Sequence, residues 1–184
     1  MSMRWISSLS ALALAIVTMT FTTVTSAQQQ APPKPAAEMA QIAYFEGTWT
    51  CSGKMMESPM GPAANTTTNV QIRKDLNGHF QTGVIKGSAP NLPPFEGRYQ
   101  ATYDAGMKQF VMMWADNMGG WSQTSSPGWQ GDTITYTGES HMGGQTMKTR
   151  EVFTKSGAAS MKHLSEGEMN GKWMTLGDET CNKK

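Results

Sequence analysis

Phe95-Glu96-Gly97-Arg98-Tyr99-Gln100-Ala101-Thr102-Tyr103, followed by Asp104-Ala105-Gly106 and then by residues 107–115 (MKQFVMMWA), is the stretch whose reading decides the fold. In an extended chain Phe95, Gly97, Tyr99, Ala101 and Tyr103 share one face, and Glu96, Arg98, Gln100 and Thr102 share the other. That period of two is the mark of a strand with one side turned to a core. Asp104-Ala105-Gly106 then supplies a tight reversal, because Asp and Gly tolerate the backbone angles a turn requires. On the returning strand Phe110, Met112 and Trp114 share a face, and Val111 and Met113 share the opposite one. This second strand is apolar on both sides, which predicts a cover on its outer face by a short N-terminal helix.

The same grammar repeats in both directions. Asn77-Gly78 and Asn170-Gly171 are two-residue hairpin signals, since both positions accept positive φ. Gly131-Asp132, Gly119-Gly120, Gly143-Gly144 and Ser156-Gly157 mark further reversals. Between them fall about ten strands, at 44–55, 66–75, 79–86, 95–103, 107–115, 121–125, 132–139, 145–155, 159–166 and 172–182. A meander of this length has two open edges unless it closes on itself, which places the first strand beside the last. The expected fold is therefore all-β: a roughly ten-stranded antiparallel up-and-down barrel with a short N-terminal helix. The competing architecture is a two-sheet sandwich, whose long crossing connections would have to come from 57–65 or 88–94.

Residues 1–27 read as an export signal: a basic start at Arg4, an apolar run of about 12 residues from Ile6 to Val17, and small residues Thr25-Ser26-Ala27 before Gln28. The apolar run falls short of the roughly 20 residues that span a bilayer, so cleavage is expected rather than anchoring, with no membrane association afterwards. Residues 28–43 form a proline-rich linker and short helix, and 44–184 the barrel domain. The expected location is exported, in the periplasm or outside the cell. In that setting Cys51 and Cys181, the two cysteines of the chain, are expected to form one disulfide, the alternative being two buried thiols. The formal charge of +1 falls to zero once Arg4 is removed, which excludes a nucleic-acid partner.

The segment Phe45-Glu46-Gly47-Thr48-Trp49-Thr50-Cys51 resembles the Gly-x-Trp start of the calycin superfamily of lipocalin-like barrels. More closely, the chain resembles the bacterial exported family named domain of unknown function 1579. The features that carry this likeness are Gly47-Thr48-Trp49, Asn77-Gly78-His79-Phe80, Tyr103-Asp104, Met113-Trp114-Ala115-Asp116, Gly128-Trp129 and the closing run from Glu179 to Lys184. The resemblance implies a barrel and no established activity. In calycins the matching tryptophan closes the bottom of the barrel, the role it implies for Trp49.

A lipocalin-like barrel implies a small, mostly apolar ligand held in the interior. Trp114, Met112, Phe110, Tyr99 and Tyr136 are the lining candidates, and the alternative is that these side chains simply fill the core. Two further chemistries are open. Some ten-stranded calycins, the nitrobindins, hold haem through a histidine, for which His79, His141 and His163 are the candidates. The 16 methionines, among them Met55, Met56 and Met60 and the group His141, Met142 and Met147, raise Cu(I), a soft ion that thioethers suit. Methionine is also an adaptable filler of irregular cores, and no cofactor or resident metal is expected. The chain carries no zinc-protease, nucleophile-elbow or phosphate-loop motif, so a non-enzymatic role is expected.

Overall fold

The structure is a computed structural model that describes residues 32–58, 61–90 and 92–184, so the expected export signal lies outside the described residues. Eleven strands follow a short helix: β1 (Gly47–Met55), β2 (Ala64–Asp75), β3 (Phe80–Ser88), β4 (Phe95–Asp104), β5 (Gln109–Asp116) and β6 (Trp121–Ser126), then β7 (Trp129–Gln130), β8 (Thr133–Met142), β9 (Gln145–Gly157), β10 (Ser160–Met169) and β11 (Lys172–Lys183). Each long strand pairs antiparallel with the next, β6 passes over the two-residue β7 to pair with β8, and β1 pairs with β11. The result is a closed ring of ten strands, with β7 a small flap on β8.

The seam between first and last strands is held covalently. Cys51 lies directly opposite Cys181 in the β1–β11 register, and the two form a disulfide across 130 residues of chain. The other strands of the ring follow one another along the chain, and the turns at the two Asn-Gly signals follow local chemistry. Asn170 and Gly171, both at positive φ, connect the facing pair Met169 and Lys172 as the Asn-Gly signal requires. At the other such signal the turn is longer than expected. Leu76, Asn77 and Gly78 all take positive φ in a single 3₁₀ turn, and the Asp75 carboxylate accepts the Leu76 N–H at 2.8 Å.

The N-terminal helix departs from the expectation in place and in type. It runs Ala37–Phe45 as a 3₁₀-type helix and buries Met39, Ile42 and Phe45, a spacing of three that puts all three on one side of a three-residue turn. The chain bends into β1 at Gly47, whose φ of +121° lies where side chains are rarely tolerated. The helix does not cover the outer face of β5: Met113 there remains 42% exposed. It plugs one end of the barrel instead, because its narrow apolar stripe finds the apolar end formed by Trp49, Phe110, Ile134 and Phe153. Phe45 stacks on Trp129 at 5.5 Å and meets Phe153 edge-on at 5.3 Å.

The helix carbonyls are satisfied by barrel side chains, as buried backbone polar groups must be. Trp129 Nε1 donates to Gln41 O (2.9 Å), Gln81 Nε2 to Ile42 O (2.9 Å) and Trp49 Nε1 to Phe45 O (2.7 Å). Tyr44 Oη donates to the Ser160 and Gly157 carbonyls, and the Lys155 ammonium sits 3.8 Å above the Trp129 ring. Trp129→Phe keeps the stacking and removes one donor. Its expected cost is about 1 kcal/mol, read as a small shift of the urea midpoint with an unchanged slope.

Candidate functional site

The strand register settles which side chains point inward, and inward-facing residues differ sharply between the two ends of the barrel. At the helix end Trp49, Cys51, Phe110, Ile134, Met161 and Cys181 are buried. At the opposite end the inward-facing Met55, Ile85, Phe95, Trp114, Met147 and Leu176 are only half-buried. The barrel thus has the form of a cup: its base is packed and plugged, and the inward-facing apolar side chains at its mouth keep partial contact with solvent.

Of the five lining candidates, Phe110 and Tyr136 lie in the packed base, 1% and 3% exposed. Tyr99, Met112 and Trp114 stand higher on the wall of β4 and β5, where Tyr99 faces Trp114 and Ala101 faces Met112 across the ladder. Two glycines let these rings lie flat. A Cβ on Gly83 would overlap the Tyr99 ring, and a Cβ on Gly97 would overlap the Trp114 indole. Trp114 also stacks on Phe95 at 6.0 Å, and its Nε1 donates to Asp116 Oδ2 at 3.0 Å. Tyr99 Oη donates to Gln81 Oε1 at 3.1 Å, and burial pushes both the Tyr99 and Tyr136 phenols up, so both stay protonated. Between Met112 and Gly138 the inward-facing Thr124 is 2% exposed, with a hydroxyl that has no hydrogen-bond partner.

The other side of the cup is polar. In the ten-strand ring β10 and β11 are diametrically opposite β4 and β5, and they carry His163 and Glu179, which face each other in the register. Glu151 on β9 completes the group. His163 Nε2 lies 2.8 Å from Glu151 Oε2 and its Nδ1 lies 3.6 Å from Glu179 Oε2. Ser165 Oγ donates to Glu151 Oε1, while Thr66 and Thr68 donate to Glu179 Oε1 at 3.1 and 2.9 Å. The Phe153 ring stacks on the imidazole at 4.5 Å. Burial pulls the imidazole pKa down, but the two carboxylates outweigh it and raise His163 to about 9. Glu179 is held low: burial works against ionisation, and His163 with the two threonines overcomes it. The imidazolium is therefore charged at neutral pH. Below this cluster, the Cys51 and Cys181 sulfurs and a Glu179 oxygen lie within 4.8 Å of one another.

Glu151 shares a face with Met147 and Phe153, while Lys148 and Arg150 take the other, so an acid on an inward face was the one sequence signal for this cluster. Its partners are 12 and 28 residues away, on two other strands, and register alone joins them. For haem, both ring nitrogens of His163 face carboxylates, so an axial bond would require breaking one of those contacts. His79 Nε2 meets the Pro33 carbonyl at 3.0 Å, and His141 Nδ1 meets Thr146 Oγ1 at 2.9 Å with its ring stacked on Trp121 at 3.8 Å. As to copper, Met60 lies outside the described residues, and Met142 and His141 line a rim cleft of about 270 Å³ with Trp121 and Gln145. A second cleft lies over 74–78.

The closed, antiparallel, ten-stranded barrel with a short N-terminal helix is the all-β architecture that the sequence predicts. The chain belongs to the family described as protein of unknown function DUF1579, whose family model matches residues 34–180. The fold is similar to that in the crystal structure of Rv2717c from M. tuberculosis, with a TM-score of 0.63 and 9% identity over 82% of this chain and 99% of that one. No curated protein matches the sequence.

Proposed function

We propose that the barrel is an exported, non-enzymatic carrier whose mouth takes up a small, mostly apolar molecule. One observation carries the reading: six inward-facing apolar side chains at the mouth are left half-buried, whereas Trp49, Phe110, Ile134 and Met161 at the base are buried. A ligand seated there would remove that surface from water, at about 25 cal/mol per Å². The Thr124 hydroxyl and the charged cluster supply polar groups that would orient it, as ligand sites usually do. The outer face of β2 is polar, with Asn65, Thr67, Asn69, Gln71 and Arg73 exposed, the reverse of a lipid-facing strand. The disulfide fits an oxidising compartment.

Titration with an apolar fluorescent probe tests the site. Trp114→Ala removes a large part of the mouth lining and is expected to weaken binding by roughly 10- to 100-fold, the equivalent of about 1.5–3 kcal/mol. Trp121→Ala, on the outer rim, is expected to leave affinity unchanged. Equal losses in both variants would place the probe outside the lumen. Cell fractionation with N-terminal sequencing checks export, the expected first residue being Gln28.

A second reading rests on the outer wall. Met113, Met118 and Trp121 are 42%, 57% and 50% exposed along β5, the following turn and β6. Apolar side chains gathered on a surface mark contact sites more often than chance, which supports an interaction domain with a filled barrel. Native mass spectrometry of protein from its own host separates the two readings by the mass of what co-purifies.

A further inference from the structure

The geometry points to a second chemistry at the base of the cup: once the Cys51–Cys181 disulfide is reduced, the two thiolates and the Glu179 carboxylate form a zinc site. The sulfurs and a Glu179 oxygen already lie within 4.8 Å of one another, on paired strands β1 and β11. Zinc takes thiolate sulfur at about 2.3 Å and carboxylate oxygen at about 2.0–2.2 Å in a tetrahedron. Two such sulfurs stand about 3.8 Å apart, an opening that rotation about the two Cα–Cβ bonds supplies while the strands stay paired.

The surroundings suit an ion of this kind. Both cysteines are buried, 2% and 1% exposed, so thiolates there would lack solvent and require a cation. Glu179 is held from behind by Thr66, Thr68 and His163, the kind of outer contacts that fix a ligating carboxylate in place. Two sulfurs and one oxygen favour zinc over calcium or magnesium, which prefer oxygen alone. Three protein ligands leave a fourth position for water or for a donor atom of a guest in the cup.

The redox step balances with a dithiol reductant. Its two sulfurs form a disulfide as the Cys51–Cys181 bond breaks, and its two protons and two electrons leave two cysteine thiols. Zinc then displaces both thiol protons. The same pair is thus a covalent clasp when oxidised and a metal ligand set when reduced. This inference shares Glu179 with the carrier reading, but its test reads thiolate–metal bonding, so it can hold or fail whatever the outcome of a probe titration at the mouth.

The test uses the chain from Gln28 to Lys184, reduced with a phosphine, exchanged into anaerobic buffer and titrated with Co²⁺ as a spectroscopic substitute for zinc. The expected result is one equivalent bound, with thiolate-to-cobalt charge-transfer absorption and the d–d bands of a tetrahedral site, both lost on adding Zn²⁺. The oxidised protein is expected to show neither signal. Glu179→Gln is expected to weaken Co²⁺ binding at least tenfold, and Cys181→Ser to abolish the charge-transfer band. Absence of the band in the reduced protein overturns the proposal. So does an affinity equal in Glu179→Gln and wild type, which is how an unfolded chain chelating through its cysteines would behave.

Discussion

Cys51→Ala combined with Cys181→Ala is expected to lower the unfolding free energy by about 2–5 kcal/mol, the upper figure being the chain-entropy value for a loop of 130 residues. The size of the effect follows from topology. Every pairing in the ring joins strands that are consecutive or separated only by the two-residue β7, except the β1–β11 seam. Hairpins bring their own strands together, whereas the seam must be closed across nearly the whole domain. Urea unfolding of the double variant beside the oxidised parent checks it. A midpoint within experimental error of the parent would show that the seam closes without help from the covalent bond.

The second large effect concerns His163, which is 25% exposed and lies between Glu151 on β9 and Glu179 on β11. His163→Gln leaves two carboxylates facing each other with no cation between them. Removing one partner of a fully buried ion pair costs about 3–5 kcal/mol, and partial exposure brings the expected loss to roughly 2–3 kcal/mol. The pH dependence has a definite sign. The folded-state pKa of about 9 lies above the ordinary 6.5, so the stabilisation by His163 is complete below pH 6.5 and is lost as pH rises through 9. Glu179 is shifted the other way, so its contribution is present above 4.5 and is lost as pH falls through its lowered value. Stability is thus expected to be greatest between about pH 4.5 and 6.5 and to fall by roughly 3 kcal/mol from 6.5 to 9. In His163→Gln the alkaline decline should disappear. A parent whose stability is flat from pH 6.5 to 9 would mean that the imidazole is not held between the two acids as the structure places it.

Much of the fold was legible because β-strands and their turns carry local signals. The alternation from Phe95 to Tyr103 names its own inward face, and Asn170-Gly171 fixes a hairpin to the residue. Closure followed from edge avoidance, and the positions of the two cysteines agreed with it. The helix was misplaced because its apolar stripe of Met39, Ile42 and Phe45 has a period of three, which says nothing about the surface it will find. Only the assembled base, with Trp129 and Gln81 reaching its carbonyls, shows that it is a plug. The two-residue β7 is too short to leave a pattern. The site was less legible than the fold: Tyr99, Met112 and Trp114 could be picked from one strand pair, but Glu151, His163 and Glu179 meet through the register of three strands. No spacing in the sequence expresses that.

In the carrier reading the mouth of the cup, and not its base or outer wall, receives an apolar guest. The most direct measurement is a titration of isotope-labelled protein with a small apolar probe, followed by methyl and indole NMR signals. The expected result is saturable shifts at Met55, Ile85, Trp114, Met147 and Leu176, with Trp49 and Ile134 at the base unmoved. Shifts confined to Met113, Met118 and Trp121, or no saturable shifts at all, would contradict it.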